Sequence, residues 1–370
     1  MNRRTFIRHM FAWLASAELF NFLSPVRSRA SASWTPETEL SDALASGLSL
    51  REIAARKLHH AKDGIYLNPL GELRRRRRFG KLIYWKFFSQ NSYNRYLEKQ
   101  PVTPVDIDWR AVEAHDGLAV TFIKHASVMI KDQDQYILVD PVFGKIFRFI
   151  DDFSPIVFDP AKMPKPDHVL ITHGHYDHLD TPSLRRIAPK SHVISPLGYS
   201  AIFNKIGMHN RTELDWYESY RDAKRGITLL PCNHWTMRNP IQGPNRSLWG
   251  SYLIQTASGR TIYLSGDTGW FDGFDQIGRE HDIDLAIINL GAYEPRWFMA
   301  PSHMNPVETV AAFKQLKARK LLIAHWGTFR LGDEPVHFPP KDLQKELEKE
   351  GLADRWIALS HGETFYYNAT

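Results

Sequence analysis

The sequence predicts a layered domain of mixed α and β structure with an amino-terminal extension. Short apolar runs bounded by turn residues recur from residue 118 onward, first close together as in hairpins and then alternating with helical patterns. Of the 370 residues, 43% are hydrophobic and 24% are charged, which provides for a sizeable core and excludes a disordered chain. The single Cys232 excludes a disulfide scaffold. We expect an arm over residues 33–115 and the domain over residues 116–370.

Residues 1–32 have the pattern of a twin-arginine export signal. Arg3 and Arg4 precede a mildly apolar stretch, and a small-residue Ala-Ser-Ala site closes the segment. Glu18 interrupts the stretch and makes it a poor membrane span. We expect the mature protein to begin near Ser33 and to be periplasmic or otherwise exported; the alternative is an amphipathic helix that stays attached. The intact mass of the exported protein distinguishes the two.

The net charge of +6 is concentrated in that segment, where five arginines stand against one glutamate. The rest of the chain is close to neutral. This charge balance argues against a nucleic-acid-binding protein.

The arm combines a helical pattern with a basic and aromatic segment. Apolar residues at helical spacing predict a helix within residues 36–61. Five consecutive arginines follow at 74–78, beside an aromatic cluster over 79–88. This combination fits peripheral contact with an anionic membrane surface or a phosphate-rich ligand. The alternative is a solvated charge run that leads into a packed segment. Salt-sensitive binding to anionic vesicles supports the first interpretation, and indifference to lipid charge removes it.

The predicted elements of the domain follow from the apolar patterns. Runs that alternate or are wholly apolar predict strands at 118–123, 127–130, 136–140, 168–172, 192–195, 227–230, 251–255, 261–265, 285–289 and 321–324. Helical spacing predicts helices at 181–187, 306–316 and 340–350.

A cluster of metal-ligand residues follows the predicted strand at 168–172. Residues 172–180 read Thr-His-Gly-His-Tyr-Asp-His-Leu-Asp, so that five potential ligands fall within eight residues. His173 and His175 are two residues apart, and a turning backbone at Gly174 brings both imidazoles to one ion. Asp177 and His178 reach a second ion beside it. The sequence therefore predicts a metal site at this strand end.

Three further ligand-type residues stand just beyond predicted strands. His234, Asp267 and His325 follow the runs that end at residues 230, 265 and 324. Each position is equivalent to that of the first cluster, because the end of a strand in a rigid sheet holds the following loop in a fixed position. Singly each has an ordinary interpretation as a loop residue; together they complete a ligand set.

This pattern resembles the metallo-β-lactamase superfamily of binuclear metal hydrolases. The resemblance implies a four-layer αββα sandwich. It also implies a role for each ligand residue: one zinc held by His173, His175 and His234, the other by Asp177, His178 and His325, and Asp267 as the bridge. Nitrogen and oxygen ligands suit zinc and also tolerate iron or manganese.

The same resemblance implies the chemistry. A water between the two ions becomes a hydroxide nucleophile at neutral pH, and Asp177 and Asp267 orient it and accept its proton. The bridging aspartate argues against an antibiotic-destroying enzyme, since the lactamases proper typically have a cysteine there.

A narrower resemblance covers about residues 120–326. Several stretches, above all Gly-Ala-Tyr-Glu-Pro-Arg-Trp-Phe-Met at 291–299, are similar to the family of N-acylphosphatidylethanolamine-hydrolysing phospholipase D and its bacterial relatives. The resemblance implies hydrolysis of an N-acylated phospholipid to N-acylethanolamine and phosphatidic acid, with Tyr176 and His303 contacting the substrate. It also suggests a homodimer. Lys124 departs from the glycine that is usual there.

Some interpretations stay open. A lactonase or another esterase on the same metal centre is the alternative activity, and an inactive metal-binding scaffold is the alternative class. His125 either orients a metal ligand from outside or is a buried structural residue. Aromatic residues near the ligand loops, with Arg238 and Arg296, either line a lipid groove or belong to the core; the aromatic residues are Trp235, Trp249, Trp270, Trp297, Phe298 and Trp326.

Overall fold

A computed structural model describes residues 47–61, 63–70, 85, 91–97, 101–148, 150–187, 191–239 and 241–367. The predicted export signal, the beginning of the predicted arm helix and the arginine run at 74–78 lie outside these residues. Among the residues described, we find no helix that is long and apolar enough to cross a membrane.

The described residues form nine α-helices and thirteen strands. The helices are α1 (Leu50–Ala55), α2 (Asn94–Leu97), α3 (Trp109–Ala114), α4 (Thr181–Ile187), α5 (Ser200–Lys205), α6 (Gly273–Glu280), α7 (Arg296–Met299), α8 (Pro306–Leu316) and α9 (Phe338–Lys349). The strands are β1 (Leu118–Lys124), β2 (Ser127–Asp132), β3 (Gln135–Val139), β4 (His168–Leu170), β5 (His192–Pro196), β6 (Arg211–Leu214), β7 (Ser219–Arg221), β8 (Gly226–Leu230), β9 (Ser251–Gln255), β10 (Thr261–Leu264), β11 (Leu285–Asn289), β12 (Lys320–Ala324) and β13 (Thr364–Tyr366).

These strands form two sheets. The first has the order β13-β1-β2-β3-β4-β5-β6 and the second the order β12-β11-β10-β9-β8-β7. In the first sheet the pairs from β13 to β3 are antiparallel and those from β3 to β6 are parallel. The hairpins come first and the crossovers later, as the sequence predicts.

Side chains that alternate between the two faces of each strand pack into separate core layers. In β11, Leu285 and Ile287 face the core shared by the two sheets, whereas Ala286 and Ile288 face the outer core of the second sheet. In β2, Val128 lies in the shared core. Its neighbour Met129 lies in the outer core of the first sheet. Successive side chains of a strand point to opposite faces, so each sheet must be covered on both sides.

Helices cover the two outer faces. The outer core of the first sheet includes buried residues of α3, α4 and α5, and that of the second sheet includes buried residues of α6, α8 and α9. The layers are therefore helix, sheet, sheet and helix, which confirms the predicted αββα sandwich.

All ten predicted strands are present, and α4 and α8 have the predicted bounds. The predicted arm helix is shorter in the described part, where α1 spans only Leu50–Ala55. The sequence interpretation missed β6, β7 and β13, together with α2, α3, α5, α6 and α7. β6, β7 and β13 are edge or end strands that are partly exposed, so an apolar pattern alone cannot reveal them.

The fold brings four strand ends together. β4, β8, β10 and β12 end at residues 170, 230, 264 and 324, and each is followed within a few residues by a predicted ligand. The loops after these strands form the candidate metal centre.

Candidate metal centre

The structure brings all seven predicted ligand residues into one buried site. Their ligand atoms form two neighbouring groups in which all atoms lie within 4.8 Å of one another. One group contains His173, His175, His234 and Asp267. The other contains Asp177, His178 and His325, with the addition of His125.

The three histidines of the first group come from two loops. His173 Nε2 lies 2.8 Å from His175 Nδ1, and His234 Nε2 lies 3.3 Å from the same atom. The loops are joined where Gly174 N donates to Thr236 Oγ1 at 2.9 Å. A Cβ on residue 174 would lie 2.8 Å from that oxygen, so close approach requires glycine here.

The second group is centred on Asp177. Its Oδ2 lies 3.0 Å from His125 Nε2, 3.4 Å from His325 Nε2 and 3.5 Å from His178 Nε2. His125 and His325 both have left-handed backbones, with φ of 49° and 68°, and are linked by a hydrogen bond from His325 N to His125 O. Strained conformations of this kind persist where the surrounding structure holds them, often at functional sites.

Asp267 lies between the two groups. Its Oδ2 is 3.2 Å from His178 Nε2 and 3.9 Å from the Nε2 atoms of His173 and His234, while its Oδ1 is 3.4 Å from His325 Nε2. One carboxylate therefore reaches imidazoles of both groups.

Polar residues behind the site orient these side chains. Asp140 accepts from Thr172 Oγ1 at 2.6 Å and pairs with His178 Nδ1 at 2.8 Å. Asn289 Nδ2 donates to Asp267 Oδ1 at 3.0 Å, and His234 Nδ1 lies 3.1 Å from the Ser302 carbonyl oxygen. Such contacts select the tautomer and the ring orientation of a ligand.

Burial and charge set the protonation states. Burial and neighbouring imidazoles hold the pKa of His173 and of His234 well below the usual value, and burial lowers the pKa of His175 to about 4. Burial alone would raise the pKa of Asp177 and Asp267, but the surrounding histidines outweigh it and hold both well below their usual range. Neutral imidazoles and ionised carboxylates are the forms that bind metal.

The residues present fit metal ions. The Nε2 atom of His175 is buried and has no hydrogen-bond partner among the described residues, and those of His178 and His325 are buried within 3.5 Å of the Asp177 and Asp267 carboxylates. Burial would lower the pKa of His178, yet Asp267, Asp177 and Asp140 raise it well above its usual value. In the part of the chain that the structure describes, the ion pairs of Asp177 and Asp267 are all with histidines. The site thus has buried negative charge and nitrogen lone pairs, as a cation site requires.

The predicted substrate contacts lie beside the centre. His303 Nδ1 is 3.9 Å from Asp267 Oδ2, and burial lowers its pKa to about 4. The Tyr176 ring lies 4.0 Å beneath the Arg238 guanidinium, and its hydroxyl donates to the Arg238 carbonyl oxygen at 2.9 Å. Arg296 pairs with Glu308 at 2.6 Å and donates to the His303 carbonyl oxygen at 2.9 Å.

The aromatic residues divide between core and site. Trp249 is fully buried and donates through Nε1 to the Cys232 carbonyl oxygen at 3.0 Å. The Trp235 ring lies 4.8 Å from the His175 ring, and Trp297 is 39% exposed. Cys232 is 1% exposed and belongs to neither ligand group.

Sequence reasoning missed Asp140 and Asn289 and left His125 undecided. The sequence contains one indication of Asp140, since this residue ends a predicted strand immediately before Pro141. In the structure its backbone is left-handed, with φ of 38°. The sequence contains no indication of a role for Asn289, because an asparagine that follows an apolar strand is common in turns.

The fold and site define a class. A family described as Beta-lactamase superfamily domain matches residues 135–326 of the chain. The chain therefore belongs to the metallo-β-lactamase superfamily, and it is a metal-dependent hydrolase. This result sets aside the alternative of an inactive scaffold.

Several known proteins are similar to this chain. The chain is 34% identical over 272 residues to N-acyl-phosphatidylethanolamine-hydrolyzing phospholipase D 1 of Caenorhabditis elegans, a match that covers 68% of this chain and 76% of that protein. It is 24% identical over 231 residues to a protein named as a metal-dependent hydrolase in Pyrobaculum islandicum, covering 62% and 92% of the two chains. A solved metallo hydrolase from Ignicoccus hospitalis has a TM-score of 0.52 at 20% identity, over 68% of this chain and 99% of that one.

Proposed function

We propose that the protein is a binuclear zinc hydrolase of the phospholipase D type. It would cleave N-acylphosphatidylethanolamine to N-acylethanolamine and phosphatidic acid. The observation that carries the proposal is Asp267, whose Oδ2 lies 3.2 Å from His178 Nε2 in one group and 3.9 Å from the Nε2 atoms of His173 and His234 in the other. The substrate class is supported by the name of the C. elegans relative. Iron or manganese is compatible with the same ligands.

Each of the two groups of ligand residues would bind one metal ion. His173, His175 and His234 would hold one ion, and Asp177, His178 and His325 the other, with Asp267 as the bridge. His125 would orient two of these ligands without binding an ion itself, since its Nε2 lies 3.0 Å from Asp177 Oδ2 and its ring lies 4.1 Å from the His325 ring. Two metal ions, when bound, supply Lewis acidity and lower the pKa of water between them.

The chain's own residues handle the proton. Asp177 is kept ionised by His178, His125 and His325, so its carboxylate is available to accept a proton from the attacking water. Asp267 orients that water from the opposite group. His303, which is neutral at pH 7, would contact the substrate beside Asp267.

The rim of the site suits an amphipathic substrate. Trp235 lies against His175, and Phe147 lies 5.2 Å from Tyr176, ring to ring. Arg238 lies over Tyr176 and donates one N–H to the Leu179 carbonyl oxygen at 2.6 Å, so its remaining N–H groups would serve an anionic group, whereas Arg296 is already paired with Glu308. Peripheral contact with an anionic membrane and export by the amino-terminal signal belong to the same proposal.

The test uses the mature, zinc-loaded protein with N-acylphosphatidylethanolamine in mixed micelles, and mass spectrometry to follow the products. We expect N-acylethanolamine from the wild type and at least about a hundredfold less from Asp177→Asn. No product from a wild type with two metals bound would contradict the substrate and favour a lactonase or another esterase on the same centre.

A further inference from the structure

Within the arm, the described residues 47–61 and 63–70 reach the candidate metal centre. Asn68 Nδ2 donates to Asn233 Oδ1 at 2.8 Å and to the His234 carbonyl oxygen at 2.9 Å. Its own Oδ1 accepts from Leu70 N at 3.1 Å, so all the polar atoms of the amide are used. A residue well outside the matched superfamily region therefore touches the backbone of a proposed metal ligand.

Asn233 extends this contact to a second ligand loop. Its Nδ2 donates to the Trp270 carbonyl oxygen at 2.9 Å, and its backbone N donates to Thr268 Oγ1 at 3.0 Å. Gly269 N donates back to the Asn233 carbonyl oxygen at 2.8 Å. The loops that carry His234 and Asp267 are thus joined through Asn233, with Asn68 bound to its side chain.

The arm is anchored upstream by one carboxylate. Asp215 accepts from Lys57 Nζ at 2.5 Å and pairs with the Nε2 atoms of His59 and His60 at 2.5 and 2.8 Å. His59 is fully buried, and its ring stacks on Trp216 at 4.2 Å.

Hydrogen bonds connect Trp216, on which His59 stacks, to the loop that carries His234. Trp216 Nε1 donates to the Trp249 carbonyl oxygen at 2.8 Å, and Trp249 Nε1 donates to the Cys232 carbonyl oxygen at 3.0 Å. The loop that carries His234 is therefore in contact with both parts of the arm segment: through Trp216 and Trp249 with the residues near Lys57, and directly with Asn68.

We propose that Asn68 is a positioning residue for His234, so that the arm is a functional part of the metal centre. His234 has two further restraints on its orientation, the Nδ1 contact to the Ser302 carbonyl oxygen and the backbone of its own loop. Loss of the Asn68 donor would free the His234 carbonyl oxygen and loosen one ligand. Residues behind a ligand typically alter metal affinity by roughly tenfold to a hundredfold.

The inference rests on the proposed metal centre, and its test separates the two. Asn68→Asp keeps the side-chain shape and the acceptor for Leu70 N but has no N–H to donate. Asn68→Ala removes the group from a half-buried position, where solvent can enter. The control is Arg51→Ala, which removes two other contacts between arm and domain, the exposed ion pair with Glu280 at 2.7 Å and the packing of the guanidinium over the Tyr217 ring at 4.5 Å, neither of which involves a residue of the ligand loops.

Zinc affinity is measured by competition with a chromogenic chelator, and the ligand field by the visible absorption of the cobalt-substituted protein. We expect both Asn68 variants to bind one of the two ions about tenfold more weakly and to shift the cobalt bands. Arg51→Ala should match the wild type in both readouts.

Wild-type affinity and an unchanged cobalt spectrum in the Asn68 variants would overturn the positioning role. An equal loss of affinity in Arg51→Ala would also overturn it, because arm docking in general would then be the cause. A wild type that binds no zinc would instead contradict the proposed function. If one Asn68 variant does not fold, the other decides the question.

Discussion

Asp177 shows how a single residue depends on its surroundings. Its carboxylate is nearly buried, and three imidazoles compensate for the desolvation that would otherwise protonate it. The same carboxylate can therefore serve as a ligand and as a proton acceptor.

Replacing Asp177 with Asn removes the proton acceptor and retains the shape. We expect kcat to fall by roughly two to four orders of magnitude, the range of general-base contributions. Metal content is measured alongside by elemental analysis. Retained turnover with both metals bound would refute the role of Asp177.

Lys124 is the residue at which this chain departs from the glycine expected of its relatives. Its side chain is fully buried, with Nζ 2.8 and 2.7 Å from the two oxygens of Asp152 and 5.5 Å from the centre of the Phe329 ring. The ion pair ties the segment that contains Asp152 to β1, immediately before His125.

Lys124→Met should lower the free energy of unfolding by roughly 3–5 kcal/mol, because Asp152 keeps a buried charge without its partner. The double variant Lys124→Met with Asp152→Asn should lose less. Urea unfolding measures both, and a double variant as unstable as the single one would contradict the explanation.

At the scale of elements, α8 is a helix whose beginning is built into the site. Asn305 caps it by accepting from Glu308 N at 2.9 Å, and Glu308 returns the contact by accepting from Asn305 N at 3.0 Å. Glu308 also pairs with Arg296, which donates to the His303 carbonyl oxygen. The start of the helix and the position of His303 are thus coupled.

Asn305→Ala removes the cap and should lower the free energy of unfolding by about 1 kcal/mol. Urea unfolding of the metal-loaded protein provides the measurement. Asn204→Ala, at an exposed position within α5, is the control and should stay within about 0.5 kcal/mol of the wild type. Equal losses in the two variants would show that the cap contributes nothing specific.

At the scale of the whole molecule, Glu334 links pH to stability. Its carboxyl is 4% exposed and accepts from the backbone N atoms of Tyr293 and Glu294 at 3.0 and 3.1 Å. Burial raises its pKa to about 7, although these hydrogen bonds oppose the change. The folded state therefore keeps a proton that the unfolded state releases between pH of about 4.5 and 7.

The contribution of Glu334 to the free energy of unfolding should fall as pH rises through this window, by at most about 1.4 kcal/mol per pH unit, and stay constant outside it. Unfolding in urea at pH 5 and pH 8, at fixed free zinc, compares the wild type with Glu334→Gln. The variant should lose less stability over this range. Equal pH dependence in both proteins would exclude Glu334 as the cause.

The sequence predicted the elements that carry strong local patterns. The apolar runs of β8 to β12 and the Asn-Pro start of α8 are local signals, so their positions were predictable. β13 was not, because three partly exposed residues pair only when β1 is already in place.

Sequence alone predicted which residues form the metal site. The types and order of the seven proposed ligands, each beyond a strand, predicted a metal site, because coordination depends on residue type and strand ends position loops. The hydrolase activity was what the resemblance to the metallo-β-lactamase superfamily implied.

Only the tertiary structure decided which residues support that chemistry. Asn68 and His234 are far apart in the chain, and no local pattern indicates that an arm amide meets a ligand loop. His125 was undecided for the same reason, since its contact with Asp177 depends on how β1 and the loop after β4 meet. Residue type and periodicity are local properties, whereas contacts between distant segments depend on the packing of the whole chain.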